Sequence, residues 1–151
     1  MLEIYIDADG CPVKEETYRV AGRYGLKVWL VANHWLRAPE SPLIEKVVVE
    51  EGLDRADDWI AARAGTGDIV ITSDVPLADR CVKAGARVIS GTGKVFSESS
   101  IGSDLALRNL MTSLRETGEI RGGGRPMDKR DRSRFLQELD KAVQAIRRTG
   151  R

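Results

Sequence analysis

The stretch Met1-Leu-Glu-Ile-Tyr-Ile-Asp-Ala-Asp-Gly-Cys-Pro-Val13 decides the fold. Ile4 and Ile6 flank Tyr5 in an apolar run that predicts a buried strand. The run stops at two carboxylates, Asp7 and Asp9, with Gly10 behind them. Pro12 suits the first turn of a helix, where a missing N–H costs nothing. A strand that delivers two carboxylates to its C-terminal tip, beside a helix start, is a place to hold a divalent cation. In open α/β sheets ligands gather at the carboxyl ends of the strands.

Working outward, the pattern alternates strands with helices. A helix is expected over Pro12–Tyr24, ended by Gly25. Leu26–Ala32 reads as a second strand and Glu45–Glu50 as a third, separated by a loop with Pro39 and Pro42. Asp54 is the expected N-cap of a helix running to Ala64. Asp68–Thr72 is a fourth strand, and Ser73-Asp74-Val-Pro turns into a helix over Pro76–Ala84. Arg87–Ser90 is a fifth strand, and Gly91–Gly102 reads as a loop. Ser103–Thr117 and Asp128–Arg148 are expected helices, the last with Phe135, Leu136, Leu139, Val143 and Ile146 at helical spacing. This alternation predicts a mainly parallel sheet in an α/β layer fold.

The chain of 151 residues is 42% hydrophobic and 31% charged, which describes a globular protein with a real core. No apolar run approaches a membrane span, and no secretion signal is apparent, so a cytoplasmic protein is expected. Cys11 and Cys81 are too few and too far apart for a disulfide framework or a zinc knuckle. The net charge of +1 hides an asymmetry. Residues 118–151 carry ten Lys/Arg against five Asp/Glu, a net of +5; residues 1–117 carry fourteen against eighteen, a net of −4. We read 1–117 as the α/β domain and 118–151 as a basic Gly/Arg segment with a final helix docked on it. An acidic body with a basic arm suits a metal site joined to a polyanion-binding segment, or simply a solvated helix face. The apolar stripe of the last helix is also a surface on which two copies could pair.

Carboxylates come from several places. Asp7 and Asp9 follow strand one, Asp57 and Asp58 fall in the first turn after Asp54, and Asp74 follows strand four, with Asp79 five residues on. If strands one and four are neighbours, Asp7 and Asp74 share a rim. Like charges that close repel and raise a pKa unless a cation lies between them. Hard oxygen ligands suit Mg²⁺ or Mn²⁺. An Asp after a strand is equally a turn former or helix cap. Asp68 precedes its strand, lies at the opposite end and reads as a turn residue.

Asp-Ala-Asp-Gly-Cys-Pro-Val at 7–13, Val-Ala-Asn at 31–33, Gly-Asp-Ile-Val-Ile-Thr-Ser-Asp-Val-Pro-Leu-Ala at 67–78 and Gly-Gly-Arg-Pro at 123–126 together resemble the YaiI/YqxD family of bacterial proteins, placed among PIN-like domains. The resemblance implies a three-layer PIN-like sandwich with a five-stranded sheet of order 3-2-1-4-5. It also implies a resemblance to nucleases in which carboxylates at strand tips hold divalent metal. On that pattern Asp7 and Asp74 match most directly as metal ligands, with Asp9 from the family's own motif. Asp58 is the candidate for the acid on the intermediate helix, and Asp79 for a further one. The implied activity is metal-dependent phosphodiester hydrolysis, RNA favoured, with Asp7, Asp9, Asp58 and Asp74 as catalytic candidates. The alternative is a nucleic-acid or nucleotide-binding module of the same fold without hydrolysis.

Candidate substrate contacts are Asn33 at the end of strand two, Lys94 in the Gly-rich loop, and Arg121, Arg125 and Arg130 in the basic segment, since Arg matches phosphate geometry bidentately. His34 reads as structural or surface. Trp35 and Trp59 are expected in the core, with base stacking as the other option. Cys11 at a helix N-terminus could have a lowered thiol pKa, but with no base partner in the sequence a small buried side chain is the favoured reading.

Overall fold

The computed structural model describes residues 2–50, 55–118 and 126–151. Among them the elements run β1 (Glu3–Asp7), α1 (Lys14–Tyr24), β2 (Lys27–Ala32), β3 (Ile44–Val48), α2 (Arg55–Arg63), β4 (Ile69–Ile71), α3 (Val75–Lys83), β5 (Arg87–Ile89), β6 (Val95–Phe96), α4 (Ile101–Glu116) and α5 (Lys129–Thr149). They build one sheet of order β3-β2-β1-β4-β5-β6. The first five strands are parallel and stand in the order 3-2-1-4-5. The expected N-cap Asp54 lies outside the described residues.

The sixth strand corrects the reading of 91–102 as a loop. β6 pairs antiparallel with β5, Val88 opposite Phe96 and Ile89 opposite Val95. A tight turn makes this possible: the Ser90 amide donates to the Lys94 carbonyl at 2.8 Å, and Gly93 adopts φ +87°. Two residues are too few to show an alternating pattern, so the sequence gives no strand signal there. Gly93 is also pressed against α5. A Cβ on it would come 2.6 Å from Arg134 Cγ and 2.8 Å from the Phe135 amide nitrogen.

Side chains on each strand alternate between two cores. Ile4, Ile6, Val28, Leu30, Ile69, Ile71 and Ile89 face α1 and α5. Tyr5, Val31, Val70 and Val88 face α2 and α3. The result is a three-layer α/β sandwich with helices on both faces. α1 ends where Gly25 turns left-handed at φ 66° and the Leu26 amide returns to the Ala21 carbonyl. α5 starts with a capping box: Asp128 accepts from the Asp131 amide at 2.9 Å, and Asp131 from the Asp128 amide at 3.2 Å.

The apolar stripe of α5 is not a pairing surface between copies. Phe135, Leu139, Val143 and Ile146 are buried in the same core as Ile4 and Ile6. Arg132 ties the helix to α1, reaching the Pro12 carbonyl at 2.9 Å and Glu16 at 2.8 Å. α4 behaves differently. Of its sixteen residues only Ile101 is buried, and Leu107 and Leu110 are more than half exposed. Among the described residues no helix is long and apolar enough to cross a membrane.

Candidate functional site

The strand order changes direction at β1. From β1 the chain passes through α1 to β2 on one side, while β4 docks on the other and continues through α3 to β5. α1 and α3 lie on opposite faces, so a crevice opens beyond the carboxyl ends of β1 and β4, where such sheets bind ligands. A cleft of about 390 Å³ occupies this position. Asp7, Asp9, Asn33, Asp57, Thr72 and Asp74 supply its polar lining, with Gly10, Cys11, Pro12 and Gly91 along its floor and rim.

Register explains how these residues meet. Ile6 pairs with Ile71, so Asp7 and Thr72 come level at the tips of adjacent strands. The Thr72 hydroxyl donates to Asp7 Oδ2 at 2.8 Å and accepts from the Asp74 amide at 3.0 Å. Asp74 caps α3, its Oδ1 accepting from the Leu77 amide at 3.1 Å. On the other side Asp7 pairs with Val31, which brings Asp9 beside Asn33. The Asn33 amide donates to Asp9 Oδ2 at 2.9 Å, and Asn33 Oδ1 accepts from the Ala56 amide at the start of α2. Asn33 therefore links the β1 tip to a helix N-terminus. His34 is exposed, with Nε2 3.2 Å from Asp9 Oδ1.

Burial pushes the Asp7 carboxyl above its ordinary pKa. The Thr72 hydrogen bond opposes this, while the nearby Asp74 and Asp9 charges add to it. The structure does not give Cys11 the lowered thiol pKa that a helix start allows. Its pKa is raised, because burial outweighs the favourable backbone hydrogen bond and Lys14. Cys11 rests on the cleft wall as a neutral thiol.

Other candidates lie elsewhere. Asp58 points away from the cleft and pairs with Arg80 at 2.8 Å on the surface; its neighbour Asp57 is the α2 carboxylate that lines the cleft. Asp79 pairs with Lys83 at 2.9 Å. Lys94 is held by Asp104 and covers the Phe96 ring, outside the cleft lining. Arg130 is exposed in the first turn of α5 and does not line the cleft. Arg121 and Arg125 lie outside the described residues. Asp68 accepts from the Gly65 and Glu3 amides at the opposite end of the sheet, as expected for a turn residue. Thr72 is the participant that sequence reasoning missed; its only signal was a hydroxyl two residues before Asp74. Among the described residues no group of three His, Cys, Asp or Glu is set to hold a metal ion.

A family model described as "Uncharacterized BCR, YaiI/YqxD family" matches residues 5–145. A UPF0178 protein of Rhodopseudomonas palustris strain BisB18 is 58% identical over 148 residues, covering 98% of this chain and 96% of that one. A UPF0178 protein of Nitrobacter winogradskyi is 58% identical over 147 residues, covering 97% and 94%. Another, from Bradyrhizobium diazoefficiens, is 57% identical over 145 residues, covering 96% and 87%. No solved structure matches the chain.

Proposed function

The chain belongs to the YaiI/YqxD family, and on that premise we propose that it hydrolyses phosphodiester bonds of nucleic acid, RNA favoured, at the Asp7–Asp74 cleft with a hydrated Mg²⁺ or Mn²⁺. One observation carries the reading. Asp7 and Asp74, from two strands far apart in sequence, are bridged by Thr72 at the switch point of the sheet.

The residues present fit a hydrated ion rather than a caged one. Mg²⁺ keeps several waters and needs only one or two carboxylates. Asp7 Oδ1 and Asp74 Oδ2 have no hydrogen-bond partner among the described residues, so each leaves an oxygen for such an ion. When bound, the ion acidifies water and neutralises charge on the scissile phosphate. The chain's own groups prepare the rest. Thr72 fixes the rotamer of Asp7. The Asn33 amide fixes Asp9 at the rim, where its carboxylate orients water. Pro12, Ala56 and Asp74 mark the starts of α1, α2 and α3, whose positive ends border the cleft and favour a phosphate.

The test is cleavage of a panel of short RNAs with Mg²⁺ or Mn²⁺ and with EDTA. Asp7→Asn and Asp74→Asn are expected to abolish metal-dependent cleavage, whereas Asp58→Asn retains it. Equal hydrolysis by wild type, Asp7→Asn and Asp74→Asn overturns the assignment. A second reading, a binding module without hydrolysis, is favoured by the lack of a three-ligand group among the described residues. Its mark is salt-sensitive RNA binding in EDTA that Arg125→Ala weakens and Asp74→Asn does not.

A further inference from the structure

The loop that leaves β2 starts at the cleft, where Asn33 is part of the lining. His34 contacts Asp9, and Trp35 is the next residue, about 3.8 Å further along the backbone. Trp35 is 71% exposed, the most exposed of the large apolar side chains among the described residues. The other two tryptophans are spent in packing: Trp29 and Trp59 cluster with Tyr5, with ring centroids 5.7–6.4 Å apart.

Trp35 is nonetheless held in place. The Lys46 ammonium lies over its ring, 4.6 Å from the centroid, and donates to the Leu36 carbonyl at 3.1 Å. The cation on β3 thus clamps the loop and backs one face of the indole. With the ring 71% exposed, the opposite face is open to water. Arg37, exposed two residues on, adds a second cation beside the half-buried Lys46. A flat aromatic face with a cation behind it therefore follows directly on His34, the residue that touches Asp9 of the cleft.

We propose that Trp35 is a stacking platform for an unpaired base of single-stranded nucleic acid, placing the neighbouring phosphodiester at the mouth of the cleft. The proposal rests on the reading of the cleft as a nucleic-acid site and names the form of nucleic acid it takes. Every base has a π-face, so stacking tolerates any sequence. Bases inside a duplex are already stacked and offer no free face to an indole, so the platform selects single strands. Lys46 and Arg37 meet the phosphates that flank the stacked base. The ring's exposure means that its removal leaves the core intact.

The experiment measures binding in EDTA, so that hydrolysis plays no part. The probes are a short fluorescein-labelled oligoadenylate and the same strand annealed to oligouridylate. Trp35→Ala is expected to weaken single-strand binding about tenfold, with Trp35→Phe restoring most of it and duplex binding unchanged. Oligoadenylate is expected to quench indole fluorescence in wild type, and the quench disappears in Trp35→Ala. Thermal unfolding of both variants should match wild type. Unchanged single-strand affinity in Trp35→Ala, or an equal loss for strand and duplex, overturns the platform. So does failure of wild type to bind either probe. The two proposals fail separately. Selective loss of single-strand binding in a chain that cleaves nothing keeps the platform and removes the hydrolase. Asp7-dependent cleavage whose KM is indifferent to Trp35→Ala does the reverse.

Discussion

Thr72 and Asp7 stand level at the tips of neighbouring strands, and the threonine hydroxyl donates to the carboxylate across 2.8 Å. That bond is a partial remedy. Burial, with the charges of Asp74 and Asp9 close by, still raises the Asp7 pKa. A raised native pKa means that the folded chain holds this proton more tightly than the unfolded chain does. Stability therefore falls as pH climbs from the ordinary aspartate value, about 3.9, through the raised one, and the cost is constant above it. Asp7→Asn keeps an acceptor for Thr72 and cannot ionise. The variant is expected to gain stability over wild type across that window and to hold the gain at neutral pH. Urea midpoints measured from acid to neutral pH check this. Curves that run parallel throughout would sink it.

An ion that relieves the same repulsion should stabilise the fold by mass action. At one hundred times its dissociation constant a ligand specific to the native state contributes about 2.7 kcal/mol. Mn²⁺ titration is expected to raise Tm in wild type and in Asp58→Asn. The rise should vanish in Asp7→Asn and Asp74→Asn. Calcium-free thermal melts at fixed ionic strength separate this from general screening. A rise of the same size in all four chains would place the ion elsewhere.

Asn33 serves two partners through different atoms. Its backbone amide holds Asp9, and its side-chain oxygen holds the first turn of α2 through Ala56. Asn33→Ala keeps the first and deletes the second. The loss of a capping acceptor costs about 1 kcal/mol. Chemical denaturation should show that deficit, and hydrogen exchange should localise faster opening to the start of α2, where Asp57 lines the cleft. Unchanged protection at Ala56 would mean that the side chain does not cap the helix.

Leucines at helical spacing are not equivalent. Leu139 on α5 is wholly buried, whereas Leu110 on α4 is 55% exposed. Leu139→Ala removes core volume and is expected to cost about 2–5 kcal/mol. Leu110→Ala should stay within about 0.5 kcal/mol, the usual range for a surface change. Equal destabilisation by the two, measured by urea unfolding at low protein concentration, would show that α4 packs as tightly as α5.

The contrast shows what the sequence could carry. Near-continuous apolar runs such as Leu2–Ile6 and Leu26–Ala32 declare themselves, because both faces of a central strand must be apolar. The mainly parallel character of the sheet follows from those runs and the helices between them, whereas the order 3-2-1-4-5 is what the family resemblance implies. Periodicity also found α4 and α5, yet it reports only that a helix has an apolar stripe. It does not report which stripe the fold consumes. Trp35 was expected in the core for the same reason: composition ranks it apolar, while its place on an exposed loop depends on where β2 ends. At the cleft, Asp7 and Asp74 were visible as strand-tip carboxylates. The choice between Asp57 and Asp58 turned on roughly 100° of helix rotation that adjacent positions cannot reveal. For Cys11 the favoured reading, a small buried side chain, agrees with the structure; the helix start suggests a lowered pKa, but burial outweighs it.

The placement of α5 has a consequence for how the protein is made. Ile4 and Ile6 leave the ribosome well before Phe135, Leu139 and Val143, which complete their surroundings. Gly93 likewise closes against Arg134 and Phe135. The central strand therefore stays half-clothed until α5 has been made. A nascent chain halted before residue 128 carries an oily sheet face open to chaperones, and maturation of the cleft waits on its most distant helix.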